Sequence, residues 1–184
     1  DMIGGTRDDA AGECFDKSAR AMGLPYPGGV NLDKIATVAD FKKYPLPRPK
    51  VEGSPYDFSF SGLKTAAINL LHRYERLGRE LPRAQFAARY TFEAVEAVAK
   101  KMGMAIDRYG VERIALCGGV AANSHLRARL AILAKEKKIT LYTPPVSLCG
   151  DNAAMIGAQG YYEYVQGNIA DSSLNASASD SIES

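Results

Sequence analysis

The chain has 184 residues, 46% hydrophobic and 24% charged, a balance that fits a globular protein with one sizeable core, or one domain and a short appendage. Twenty-three Lys and Arg face 21 Asp and Glu, a formal net charge of +2, so no overall polycation advertises nucleic acid and any polyanion contact is local. Three cysteines without C-x-x-C spacing argue against a disulfide framework or a cysteine zinc site and suit a reducing cytoplasm, and no apolar run approaches the roughly 18 residues of a membrane span.

From Asp8 to Met22, Ala11, Phe15, Ala19 and Met22 share one helical face, with Asp8 and Asp9 placed to complement the helix's own N-terminal dipole. "PYPGG" then turns the chain into a short helix that Asn31 is expected to cap. Residues 38–57 read as a Pro-rich basic loop, either simply solvated or facing a phosphate. Phe58 and Phe60 alternate like a strand, and the period then changes to helical through Leu63, Ala67, Leu70 and Tyr74, with Ser61 as the expected cap. A longer helix after Pro82 carries Phe86, Tyr90, Ala94, Val98, Met102 and Ile106 as a core stripe.

The clearest unit follows. A strand over Ile114 to Cys117, the pair Gly118-Gly119, a helix with Leu126, Leu130 and Leu133, and a strand over Thr140 to Tyr142 predict a parallel βαβ unit. A last helix is expected to open at Asp151 and stop near Gly167, and the Ser-rich stretch 168–184 has too little to bury to be ordered.

In open α/β sheets, ligands sit beyond the carboxyl ends of the strands. Two segments reach such ends: Gly118 to Asn123, and Cys149-Gly150-Asp151. The paired glycines admit a phosphate or nucleotide close to backbone amides, yet "GGVAAN" is not the dinucleotide fingerprint. Residue spacing leaves two roles open at each candidate. Asn123 is a helix cap or a ligand contact, Asp16 an ion-pair partner of Arg20 or a ligand contact. Gly29 is a turn former or a ligand contact, Asp33 a dipole partner for its own helix or a ligand contact, and Asp151 a cap or a residue that holds a ligand. His72 and His125 form no zinc-protease pattern, and Cys117 and Cys149 read as small buried residues rather than nucleophiles.

Taken together, "TRDDAAGECFDKSARAMGLPYPGG", "DFSFSGLKTA", "CGGVAANSHLR" and "LCGDNAAMIGAQG" resemble the TsaD/Gcp/OSGEP family of tRNA threonylcarbamoyl transferases, from Thr6 to Tyr164. The resemblance implies an actin/Hsp70-like (ASKHA) α/β fold, with the chain supplying mainly the second ribonuclease-H-like lobe over 1–167 (a helical part at 58–110 and a parallel β-α-β part at 111–167). It implies transfer of threonylcarbamoyl from threonylcarbamoyl-AMP to the N6 amine of the adenosine 3′ to the anticodon, in tRNAs reading ANN codons. Residue by residue, Asp151 matches the carboxylate ligand of an iron or zinc ion. Asp16, Gly29, Asp33 and Asn123 match positions that hold the nucleotide of the adenylate. TsaB-like and TsaE-like subunits are the implied partners, and the cytoplasm the implied location.

The family's H-x-x-x-H metal pair is absent from this chain, which begins at Asp1 without a Met. The expectation is therefore a natural start farther upstream, weak metal binding, no transferase activity from these 184 residues alone, and apolar surface and a sheet edge left uncovered. A non-catalytic scaffold subunit and an actin-like ATP-dependent kinase are the competing readings. Asp151 and "DFSFSGLKTA" weigh against the first, and the missing catalytic base and phosphate hairpin against the second.

Overall fold

The computed structural model describes residues 1–36, 44, 46–48, 51 and 53–176. Among these residues, six α-helices and two short strands follow one another as α1 (Ala11–Ala21), α2 (Gly28–Ile35), α3 (Ser61–Arg76), α4 (Arg83–Tyr109), β1 (Arg113–Ala115), α5 (Ser124–Lys137), β2 (Thr140–Tyr142) and α6 (Ala153–Gln166). The strands pair in parallel, with Ile114 opposite Leu141, so α5 is a crossover helix as its leucine spacing predicts. The chain is thus an α/β protein with a small parallel sheet. The first strand is shorter than expected: the registered pairs end at Ala115, Leu116 adds one amide bond to the Tyr142 carbonyl at 2.9 Å, and Cys117 lies beyond.

Two apolar clusters form along one helix. Alpha-4 is 27 residues long, about 40 Å at 1.5 Å per residue, long enough to serve both. Its first half presents Phe86, Tyr90 and Ala94 to Phe15 and Ala19 of α1, Leu32 of α2 and Leu63 and Ala67 of α3. Its second half presents Val95, Ala99 and Ile106 to Leu126, Leu130 and Leu133 of α5, and Ile114 and Leu141 close that cluster from the sheet. Each valine, leucine, isoleucine or phenylalanine among them stabilises the fold by about 1.5–3 kcal/mol when fully buried. Tyr90 carries the polar exception. Its hydroxyl, fully buried, accepts from Ser18 Oγ at 2.9 Å, donates to the Cys14 carbonyl at 3.1 Å and lies 2.8 Å from Cys14 Sγ.

Several local expectations are corrected by tertiary contacts. Asp8 does not serve its own helix. Its carboxylate accepts from the amides of Phe60 (2.8 Å) and Ser61 (3.2 Å) and from the hydroxyls of Ser59 and Ser61, so it caps α3, where Ser61 was the expected cap. Partial desolvation alone would raise its pKa, but these hydrogen bonds outweigh that and hold it at about 2. Asn31 lies inside α2, and its amide donates to the Pro25 and Pro27 carbonyls.

Most of the Pro-rich stretch lies outside the described residues. Of those described, Pro47, Arg48, Gly53 and Pro55 are exposed, but others are held by the core. Tyr44 and Leu46 are buried in the first core, and Arg48 pairs with the buried Glu93 of α4, which Arg89 also faces. Phe58 forms an isolated bridge to Thr6 rather than a strand. At the other end, α6 buries no residue, and Tyr142, Val146, Met155, Ile156 and Tyr162 are all more than half, or half, exposed. Residues 168–176 form no helix or strand, and 177–184 lie outside the described residues.

Candidate functional site: a cleft where three helix N-termini meet

An open cleft of about 670 Å³ lies where α1, α2 and the turn before α5 meet. Its walls include Ala10 and Gly12 of α1, Pro27, Gly29 and Val30 at the start of α2, Gly119, Val120 and Asn123 after β1, and Val146 and Gly150 after β2. Both strand-end segments singled out from sequence reach it. Asp16, Gly29, Asp33 and Asn123 all line this one cleft, although they lie up to 107 residues apart in the chain.

The packing explains how they converge. Gly28 sits so close to α1 that a Cβ there would come within 2.7 Å of the Ala19 Cβ and 2.9 Å of the Asp16 Cα. Only glycine permits that approach, and it brings the Gly29 amide to Asp16 Oδ1 at 2.7 Å. Asp16 therefore caps α2 and makes no ion pair with Arg20 among the described residues. Gly29 has room for a side chain, so the steric demand in the pair falls on Gly28.

Asp33 likewise works across the fold. Both of its oxygens lie 3.2 Å from the Ser124 amide at the start of α5, and His125 Nε2 stands 3.9 Å away. It complements the dipole of α5, not that of its own helix. Asn123 is the N-cap of α5, its Oδ1 accepting from the Leu126 amide at 2.8 Å while the residue also faces the cleft. Gly118 makes the entry turn at φ 84°, a left-handed conformation that a side chain would strain.

The result is a cleft edged by the positive ends of three helices, with two half-buried carboxylates among them. Such ends favour anionic groups, while the second oxygen of Asp16 is free to accept from a hydroxyl. Tyr26, 84% exposed, and Val30 and Val146 supply apolar surface at the rim. None of these three stood out in the sequence. The only signal for Tyr26 was an aromatic residue within a proline-glycine turn.

Asp151 stands apart. It is exposed, it is not the cap of α6, and it does not line the cleft, although its neighbour Gly150 does. Asn152 takes the cap, accepting from the Met155 amide at 3.0 Å. No three His, Cys, Asp or Glu side chains cluster among the described residues. One exposed carboxylate is too small a donor set for iron or zinc, which take several N or O ligands. The described residues thus do not fit the metal by themselves. The cysteines divide. Cys149 is buried, with Arg127 Nη2 donating to its Sγ at 3.1 Å, whereas Cys117 is exposed and not the core residue expected. No described helix is long and apolar enough to cross a membrane.

Comparison with known sequences completes the picture. A family model described as TsaD, tRNA N6-adenosine threonylcarbamoyltransferase, matches residues 1–158. A protein of that name from Moorella thermoacetica is 47% identical over 175 residues, covering 95% of this chain and 51% of the relative. One from Geobacillus kaustophilus is 48% identical over 179 residues (97% and 52%), and one from Bacillus thuringiensis 46% over 185 residues (100% and 54%). The chain spans about half the length of the curated relatives it matches. Four motifs in order, a cleft assembled from three of them and this level of identity agree: the chain belongs to the TsaD family of tRNA N6-adenosine threonylcarbamoyltransferases.

Proposed function

We propose that the cleft holds the nucleotide part of threonylcarbamoyl-AMP, within an actin-like enzyme that passes the threonylcarbamoyl group to N6 of the adenosine 3′ to the anticodon in tRNAs reading ANN codons. The observation that carries this reading is the convergence of Asp16, Gly29, Asp33 and Asn123 on a single cleft. Carboxylates accept from ribose hydroxyls, and Asn123 is placed to donate through its amide nitrogen while its oxygen caps α5. Helix N-termini around the cleft suit the phosphate. In the transfer, the N6 nitrogen bonds to the carbamoyl carbon, the bond from that carbon to the phosphate oxygen breaks, N6 gives up a proton and AMP leaves. This chain's residues would hold and orient the departing AMP, leaving the carbamoyl end at the cleft mouth.

The same proposal includes an iron or zinc ion with Asp151 as one ligand. Such an ion polarises a carbonyl, but the described residues do not make its site, and no step is assigned to it. It further includes no turnover by these 184 residues alone, partners like TsaB and TsaE, and a cytoplasmic setting.

Calorimetric titration with AMP tests the nucleotide reading. Asp16→Asn keeps an oxygen for the Gly29 amide but removes the charged acceptor, and should weaken AMP about tenfold, the worth of one hydrogen bond to a charged group. Absence of AMP binding at millimolar concentration, or AMP affinity equal to that of the parent chain in both Asp16→Asn and Asp33→Asn, would overturn it.

A further inference from the structure

We propose that Arg127 is a positioning residue that sets the separation of the two strand-end walls of the cleft. Its guanidinium reaches three acceptors on two loops. Nε donates to the Ala121 carbonyl, in the turn after β1, while Nη2 donates to the Pro144 carbonyl (2.6 Å) and to Cys149 Sγ (3.1 Å), both after β2. Val120, Ala122 and Asn123 surround the first contact, Val146 and Gly150 flank the others, and all five line the cleft. Arg127 itself does not line it.

Two features set this residue apart from an ordinary surface cation. It lies in the first turn of α5, where the helix dipole disfavours positive charge. It is also half-buried and makes no ion pair among the described residues, where two backbone carbonyls and a cysteine sulfur compensate its desolvation. A planar fork of fixed donors suits that arrangement, because it holds carbonyls from two loops at set angles. Lysine has the charge but one flexible nitrogen, and cannot reproduce the bridge. The strands themselves are only three residues long, and beyond their registered pairs the Leu116 amide bond to the Tyr142 carbonyl (2.9 Å) is followed by the Arg127 bridge.

The inference rests on the nucleotide reading for its ligand, and the test separates the two. AMP affinity would be measured by calorimetry for the parent chain, Arg127→Ala and Arg127→Lys. Alkylation of Cys149 and Cys14 would be followed in each by peptide mass mapping. The expected result is AMP binding weakened at least tenfold in both variants, with Cys149 alkylated at least tenfold faster and Cys14, in the first core, still slow. Slow Cys14 shows that the fold has survived. Unchanged AMP affinity in either variant, or unchanged Cys149 alkylation, overturns the clamp. If the parent chain does not bind AMP, the nucleotide reading fails, and the alkylation rates alone decide whether Arg127 holds the loops.

Discussion

Replacing Asp8 with Ala removes the cap of a helix that starts fifty residues downstream. Four donors lose their acceptor: the amides of Phe60 and Ser61 and the hydroxyls of Ser59 and Ser61. The carboxylate's pKa drops from 3.8 to about 2 on folding. At about 1.36 kcal/mol per pH unit that is at most about 2.4 kcal/mol, and because Asp8 is exposed, solvent screening reduces it to about 1 kcal/mol. Loss of a cap falls in the same range. The sign follows from the depressed folded pKa. The contribution is complete above about pH 4, falls to roughly half near pH 3 and vanishes below about pH 2. Urea unfolding of the parent chain and Asp8→Ala at pH 6 and pH 3 checks this. The expected gap is about 1 kcal/mol at pH 6, halved at pH 3. Asp8→Asn, which keeps a neutral acceptor, should recover part of the loss with no pH dependence. A gap that is absent at pH 6, or equally large at pH 3, would refute the cross-fold cap.

The remaining predictions concern the core, the thiols and the metal. Tyr90→Phe leaves Ser18 and the Cys14 carbonyl without their buried partner and should cost about 1–3 kcal/mol in chemical unfolding, with little change in the slope. Alkylation at neutral pH should mark Cys117 first. Burial pushes the Cys14 thiol pKa up, and Cys149 is shielded, so equal rates for all three would contradict the packing. Glu93→Ala should destabilise the fold more than Arg48→Ala, because Arg48 is 67% exposed and leaves Glu93 its second partner, Arg89. Equilibrium dialysis should find only weak Zn²⁺ or Fe²⁺ uptake by the 184-residue chain; tight stoichiometric uptake lost in Asp151→Ala would contradict this.

Much of this architecture could be read from residue order. Helical spacing located α1, α3, α4 and α5, because side chains that must share a buried face recur at the helical period whatever lies opposite. Strand, double glycine, helix and strand identified the parallel crossover, and four motifs identified the family. Asn123 was rightly offered as the cap of α5, but the local partners expected for the aspartates were wrong. Asp8, Asp16 and Asp33 were each assigned to their own neighbourhood, yet they serve α3, α2 and α5 respectively. A carboxylate's nearest amide in space is a property of how helices pack, and spacing along one helix carries no information about it.

The candidate site divides along the same line. Sequence by itself determined which residue types were available: acids, an amide and paired glycines beside strand ends. Only the tertiary structure decided that Gly28 must be a glycine, since that depends on how near α1 passes. It also decided that Arg127 bridges two loops, that Cys117 faces solvent while Cys149 does not, and that Asp151 stays outside the cleft its neighbours line. The physical reason is common to all four. Local conformation follows from short-range sterics and periodic burial, whereas a site is defined by distances between segments far apart in the chain, and packing alone sets those.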